Sequence, residues 1–300
     1  MPIEWAKNRY KILFEQLHEL EKTVDKHVIG GDIFDKLPNM AELELYFEYI
    51  KECKCNTEIF AGNHEADKKN TTFLTQLKSV SNIINKKVKI IDEFTSIENM
   101  DYIPYNCLKE YNPAHIDFHG DILFTHVRGE IPPHVKPEVN LSLFERWKVV
   151  FAGDLHSHSN SQLNIVYPGS PVTTSFHRNE VDTGVIIIDT DTLKWDWVKL
   201  DVPQLIRKTV KAGEPMPATN YHHTIYEVTG DMTELGKVES NDLIDKKLVK
   251  RSNDCALILK PEATIQEELT EYFTYILELP EPTIEEALAE FNNNIKGIMS

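Results

Sequence analysis

Four short segments of this chain end in side chains able to grip divalent cations: Gly31-Asp32-Ile33-Phe34-Asp35, Gly62-Asn63-His64-Glu65, Ile122-Leu123-Phe124-Thr125-His126 and Gly153-Asp154-Leu155-His156. Asp32 offers a carboxylate, which can bridge two cations where a neutral ligand does so poorly. Asn63 offers an amide oxygen, His126 and His156 imidazoles, and Asp154 a second carboxylate. His64, beside Asn63, can point the other way and serve a substrate as donor or acid. Mixed His, Asp and Asn ligands suit a dinuclear Mn, Fe or Zn centre roughly 3.5–4 Å across, which makes hydroxide near neutral pH and clamps a phosphoryl group for in-line attack. The implied chemistry is phosphoester hydrolysis. Singly, Gly-Asp and Gly-Asn are turn signals, and a His ending an apolar strand is ordinarily a core residue. Four in series, each with different ligand chemistry, point to one site.

Each segment follows or contains a short apolar run: Val28-Ile29, Ile59-Phe60-Ala61, residues 122–124 and residues 149–152. Runs of that length bounded by Gly read as buried strands, so the polar residues sit at their carboxyl ends. Residues 5–22 carry Trp5, Tyr10, Ile12, Leu13, Leu17 and Leu20 at helical spacing, and further helices are expected at about 41–52 and 72–84. Strands dominate from about 120 to 200. Alternating strands and helices argue a layered α/β sandwich. Residues 201–217 read as a Pro-containing connector. Beyond it come a strand at 224–228, a helix at 243–250 and a strand at 256–260, a small α/β appendage. The tail from Thr264 is helical and acidic, split at Pro280-Glu281-Pro282. Thr264 and Thr283 are the expected caps, and Leu269, Tyr272, Phe273, Ile276 and Leu277 form a stripe for packing or for docking a partner.

Composition bounds the rest. The 300 residues, 41% hydrophobic and 27% charged, suit one large soluble domain or a domain with an appendage. No apolar run approaches the ~20 residues that span a bilayer, and no signal pattern opens the chain. The cysteines are Cys53, Cys55, Cys107 and Cys255, without a C-x-x-C pair. Reduced structural thiols and a cytoplasmic setting are expected. A net charge of −16 argues against a broad basic nucleic-acid surface. It leaves room for a nucleic-acid enzyme whose cations neutralise an acidic pocket.

The blocks resemble those of the calcineurin-like metallophosphoesterases, D-x-H, G-D-x-x-D, G-N-H-[DE], H and G-H-x-H. Within that superfamily the chain is similar to SbcD-type nuclease subunits of recombination and repair complexes, bacteriophage versions included. Ile103-Pro104-Tyr105 and Tyr167-Pro168-Gly169-Ser170-Pro171 carry the closer likeness, continued by Phe176, residues 184–189, Trp195 and Leu200. It spans about residues 5 to 210. The resemblance implies a layered αββα metallophosphoesterase sandwich over 1–203, a capping and DNA-binding appendage over 204–260, and a helical tail over 261–300 that docks an ATPase. It implies Asp32 as bridging ligand, Asn63, His126 and Asp154 on the second metal, and His156 on the first. His64 would stabilise the transition state or protonate the leaving oxygen. The implied cofactor is Mn2+, with DNA and an SbcC-like coiled-coil ATPase as partners of a homodimer within a heterotetramer.

Two departures qualify that expectation. Asp154 stands where the family usually has His, and His158 offers another register for a ligand. The first block, D-x-H, has no counterpart: the chain starts at the helix that follows it, and Asp117-Phe118-His119 reads as a loop. The chain alone is therefore expected to bind one metal well and to be a weak nuclease, with an extra sheet edge exposed. A scaffold that docks the ATPase without cutting, or a small-molecule phosphoesterase, are the competing readings. Lys136 and Arg178, beside matched blocks, read as ordinary surface charges.

Overall fold

The computed structural model describes residues 2–66, 72–133, 135–218, 221–249, 263–277 and 279–298, the last six by their backbone alone. They divide into two compact units: residues 1–208 with 216–226, and residues 209–215 with those from 227 onward.

The first unit is a layered α/β sandwich. Its helices are α1 (Ile3–Leu20), α2 (Met40–Glu52), α3 (Phe73–Ile84) and the short α4 (Tyr105–Leu108). Strands β1 (Lys26–Gly30), β2 (Asn56–Phe60) and β3 (Val88–Ile91) form a parallel sheet in that order. A five-stranded sheet follows the order β4 (Thr95–Ile97), β5 (Met100–Ile103), β6 (Ile122–His126), β7 (Val149–Gly153) and β8 (Ile165–Val166). It is parallel except for β4. Strands β9 (Gly184–Ile188) and β10 (Trp195–Lys199) make an antiparallel pair.

Period-2 alternation sorts the layers. Met100, Tyr102, Ile122, Phe124, Val149 and Phe151 project from one face of the larger sheet into a core shared with Phe60 and Ile91 of the smaller one. Ile103, Leu123, Val150 and Ala152 face the other way, against Trp147, Phe144 and Tyr111. The smaller sheet turns Ile59, Val88 and Ile90 toward α2 and α3, where Tyr46, Tyr49, Ile50 and Leu74 are buried.

Local chemistry fixes the helix starts. Asn39 caps α2 in a reciprocal box, its Oδ1 accepting the Glu42 N–H while the Glu42 carboxylate accepts the Asn39 N–H. The Thr72 hydroxyl caps α3. Helix α1 is pinned by the buried Arg9, which donates to the Pro203 carbonyl at 2.8 Å and to the Thr173 carbonyl and hydroxyl at 2.6 and 2.8 Å.

Strands β11 (Leu205–Lys211) and β12 (His223–Gly230) each run from the first unit into the second, and with β13 (Ile244–Val249) they form a fourth sheet. Two expectations are corrected here. The helix expected over 243–250 gives way to a strand: 244–249 are β13. The 201–217 connector contains β11, whose prolines flank the strand instead of interrupting it. The second unit also holds α5 (Met232–Lys237), α6 (Ile265–Glu271) and α7 (Glu281–Ile298), with a π-helical turn at Tyr272–Ile276. Thr264 caps α6 in a box with Glu267. Thr283 is no cap, because α7 begins two residues earlier and Pro282 is tolerated in its first turn. None of the five tail-stripe residues is buried. The strand expected at 256–260 and Cys255 lie outside the described residues.

Candidate metal centre

The parallel strands β1, β2, β6 and β7 deliver their carboxyl ends to one place, and three glycines make that approach possible. A Cβ on Gly31 would lie 2.5 Å from the His126 Nδ1, one on Gly153 would lie equally close, and one on Gly62 would strike the Asp32 carboxylate. Gly31 also needs its φ of +90° to turn the chain. Asp32 and Asp154 both have positive φ themselves, 53° and 95°. Such backbones cost about 1–3 kcal/mol each and persist where the surroundings hold them.

Glu65 does the holding on one side. Almost fully buried, its carboxylate accepts the N–H of Asp32 at 2.9 Å, of Phe34 at 2.9 Å and of Gly62 at 2.7 Å. One acid thus clamps the first two motif loops together. Burial pushes its pKa up against those amide bonds.

His126 stands at the centre, 1% exposed. Its Nδ1 donates to the Gly30 carbonyl at 2.9 Å, since a carbonyl only accepts. That leaves Nε2 facing oxygen on every side: Asn63 Oδ1 at 2.9 Å, Asp32 Oδ2 at 3.4 Å and Asp154 Oδ1 at 3.9 Å. Burial opposes the charge on both His126 and Asp32. Their mutual hydrogen bond and attraction nonetheless raise the imidazole pKa and lower the carboxylate pKa. Three acceptor oxygens turned on Nε2 call for a positive charge there, a proton on the ring or a bound cation. Nitrogen and oxygen donors of this kind, with a backbone partner on the far ring nitrogen, are of the types that divalent cations take.

His64 sits on the rim. Its N–H donates to Asp32 Oδ1 at 3.0 Å, and its Nδ1 donates to the Asp35 carbonyl at 2.7 Å. The Asp35 carbonyl raises its pKa against burial, with Asp32 and Asp35 charges adding. Among the described residues no hydrogen bond reaches its Nε2.

Of the six residues singled out in the sequence, Asp32, Asn63, His126 and Asp154 share one centre, with His64 joined through Asp32. His156 is exposed, and its bond is to the Thr174 hydroxyl at 2.9 Å. No hydrogen bond or ion pair joins it to the other five. His158 stacks on Trp197, ring centroids 4.4 Å apart. Asp117 and His119 pair with each other in a loop. Sequence reasoning gave no role to Glu65 and missed Arg128, which grips Asp154. Glu65 did stand inside a quoted motif; Arg128 carried no signal beyond its place two residues after His126.

A second cluster has similar residue types. His18, Glu21 and Cys53 each place a ligand-type atom within 4.8 Å of the others. Glu21, however, is saturated: it accepts from His18 Nδ1 and His27 Nδ1 at 2.9 Å, from the Lys54 N–H at 2.9 Å and from the Tyr49 hydroxyl at 3.1 Å. Burial, then the Glu21 charge, pushes the Cys53 thiol up to about 12, so without a metal it is a neutral thiol near pH 7. This network ties α1, β1 and α2 together.

Against known proteins, a scan of family models matched none. The chain is 38% identical over 309 aligned residues to "Probable exonuclease subunit 1" of Escherichia phage T5, across 99% of this chain and 94% of that protein. It is 26% identical over 218 residues to "Putative phosphoesterase 244L" of Invertebrate iridescent virus 6, across 60% of this chain and 71% of that protein.

Proposed function

Because the chain belongs to the family of the phage T5 exonuclease subunit 1, we propose that it is a metal-dependent DNA phosphodiesterase, the nuclease subunit of a recombination or repair complex. One observation carries this: His126 Nε2, its other nitrogen fixed by Gly30, faces the oxygens of Asn63, Asp32 and Asp154. Those four residues would hold one Mn2+. His156, on its loop after β7, would serve a second. The cation, when bound, supplies Lewis-acid polarisation of a phosphoryl oxygen and an acidified water.

The protein's own groups do the rest. Glu65 fixes the Asp32 and Gly62 backbones so that carboxylate and amide oxygen converge. His64 has its Nδ1 held by Asp35 and its Nε2 open, the geometry for donating to a phosphate oxygen or leaving group. The segment 204–260 would steer DNA and the tail 261–300 would dock an SbcC-like ATPase within a dimeric assembly. The word "subunit" in the relative's name supports an assembly of that kind.

The experiment is Mn2+-dependent hydrolysis of bis(4-nitrophenyl) phosphate and of a short DNA duplex by the purified chain, with and without the partner ATPase. The reading expects cleavage of both, weak for the chain alone, and its loss in Asp32→Ala. Turnover that survives Asp32→Ala would end it. Cleavage of the small ester with no effect on DNA under any condition would favour a small-molecule phosphoesterase.

A further inference from the structure

Of the centre's oxygen donors, Asp154 is the one held by an arginine. Arg128 reaches it with two N–H groups, Nε to Oδ2 at 3.2 Å and Nη2 to Oδ1 at 3.3 Å. Both are longer than the roughly 2.7–2.9 Å of a tight charge-assisted bond. The carboxylate is 8% exposed while the arginine side chain is 44% exposed. The base of Arg128 is tethered, its backbone N–H given to Glu138 Oε2 at 3.2 Å, while its side chain is part-exposed. The oxygen it touches with Nη2 is also the one 3.9 Å from His126 Nε2. A divalent cation beside His126 and the guanidinium therefore compete for the same Asp154 oxygen, and their charges repel.

We propose that Arg128 holds Asp154 in the cation-free protein and, released when Asp154 turns to the cation, becomes the residue that binds a non-bridging oxygen of the substrate phosphate. The inference rests on the metal-centre reading above and deepens it. A planar fork matches a phosphate as it matches a carboxylate. In a chain of net charge −16, an exposed guanidinium two residues beyond His126 gives an anionic diester a local partner.

The test takes the full chain as wild type, Arg128→Gln, Arg128→Lys and His126→Ala. Mn2+ affinity is read by isothermal titration calorimetry, and KM and kcat are read on bis(4-nitrophenyl) phosphate. Arg128→Gln should bind Mn2+ about 5-fold more tightly, the worth of a loose, part-exposed ion pair. Its KM should rise about 10-fold, the worth of a charged hydrogen bond. Arg128→Lys keeps the charge without the fork, so its Mn2+ affinity should stay near wild type with KM in between. Weaker Mn2+ binding by Arg128→Gln, or an unchanged KM, overturns the assignment of Arg128. Equal Mn2+ binding by His126→Ala and wild type overturns instead the metal centre on which it rests.

Discussion

The first unit holds two buried carboxylate–imidazole clusters, one around Glu21 and one around His126, and they differ in what their polar atoms face. Glu21 meets four hydrogen donors, so every lone pair it presents has a proton opposite. His126 turns Nε2 to three oxygens and donates from Nδ1 to the Gly30 carbonyl. The residue types overlap, yet one cluster is complete without an ion and the other is where we propose that one binds. Composition of a cluster is thus a poor guide to metal binding; the balance of donors against acceptors decides it.

The sharpest way to break this contrast is a pair of substitutions. His126→Ala should abolish Mn2+-dependent hydrolysis, because the cation is asked for several kcal/mol of transition-state stabilisation, about 10³-fold or more in rate. Its urea midpoint should change far less than that of Glu21→Ala. Glu21→Ala should cost about 3–5 kcal/mol of stability, as expected when a buried charged network loses one partner, while leaving Mn2+ stoichiometry unchanged. If Glu21→Ala removed bound Mn2+, the two clusters would have been assigned the wrong way round.

Glu65 links organisation to chemistry and should show both effects at smaller size. Glu65→Ala frees three buried N–H groups, at about 1 kcal/mol for each bond lost. As a partner that orients ligands, its removal should also weaken Mn2+ binding by about 10–100-fold. Chemical denaturation and a Mn2+ titration on the same variant read the two together.

The smallest effect is in pH. The carboxyl of Glu21 is held far below its ordinary range: burial opposes this, and the hydrogen bonds from His18, His27 and the Lys54 amide outweigh it. A depressed carboxylate pKa adds stability that is fully present above the unfolded-state value of about 4.3. That stability is lost as pH falls below it toward the folded value. Stability of the wild type should therefore fall on acidification from about pH 5 to 3, and the Glu21→Gln curve should be flatter over that window. Parallel curves would show that Glu21 gains nothing from its partners.

Much of this architecture was legible in the sequence because local and global signals agree. The runs before Asp32, Asn63 and Asp154 are strands with Gly at or just beyond their ends, and the close contacts around Gly31, Gly62 and Gly153 explain why no other residue serves there. Where the signals conflict, reading failed. Residues 243–250 have apolar side chains at 243, 244, 248 and 249, spacing that suits a helix, yet 244–249 pair into a sheet, where neighbours override propensity. β11 lay hidden between prolines that mark its borders. Among the described residues no helix is long and apolar enough to cross a membrane, in line with the hydropathy. In the site, ligand-type residues could be named one by one, but not their bonds. Glu65 and the Asp32 amide lie 33 positions apart, and Arg128 and Asp154 lie 26 apart. Such pairings depend on how adjacent strands end, which no local spacing records.

The most direct test of the account is an anomalous-difference map from a crystal of the chain soaked in manganese chloride, with data taken at the manganese edge. The account predicts its strongest peak among His126 Nε2, Asp32, Asn63 Oδ1 and Asp154, and none at Glu21. A map with manganese at Glu21, or with nothing beside His126, would contradict it.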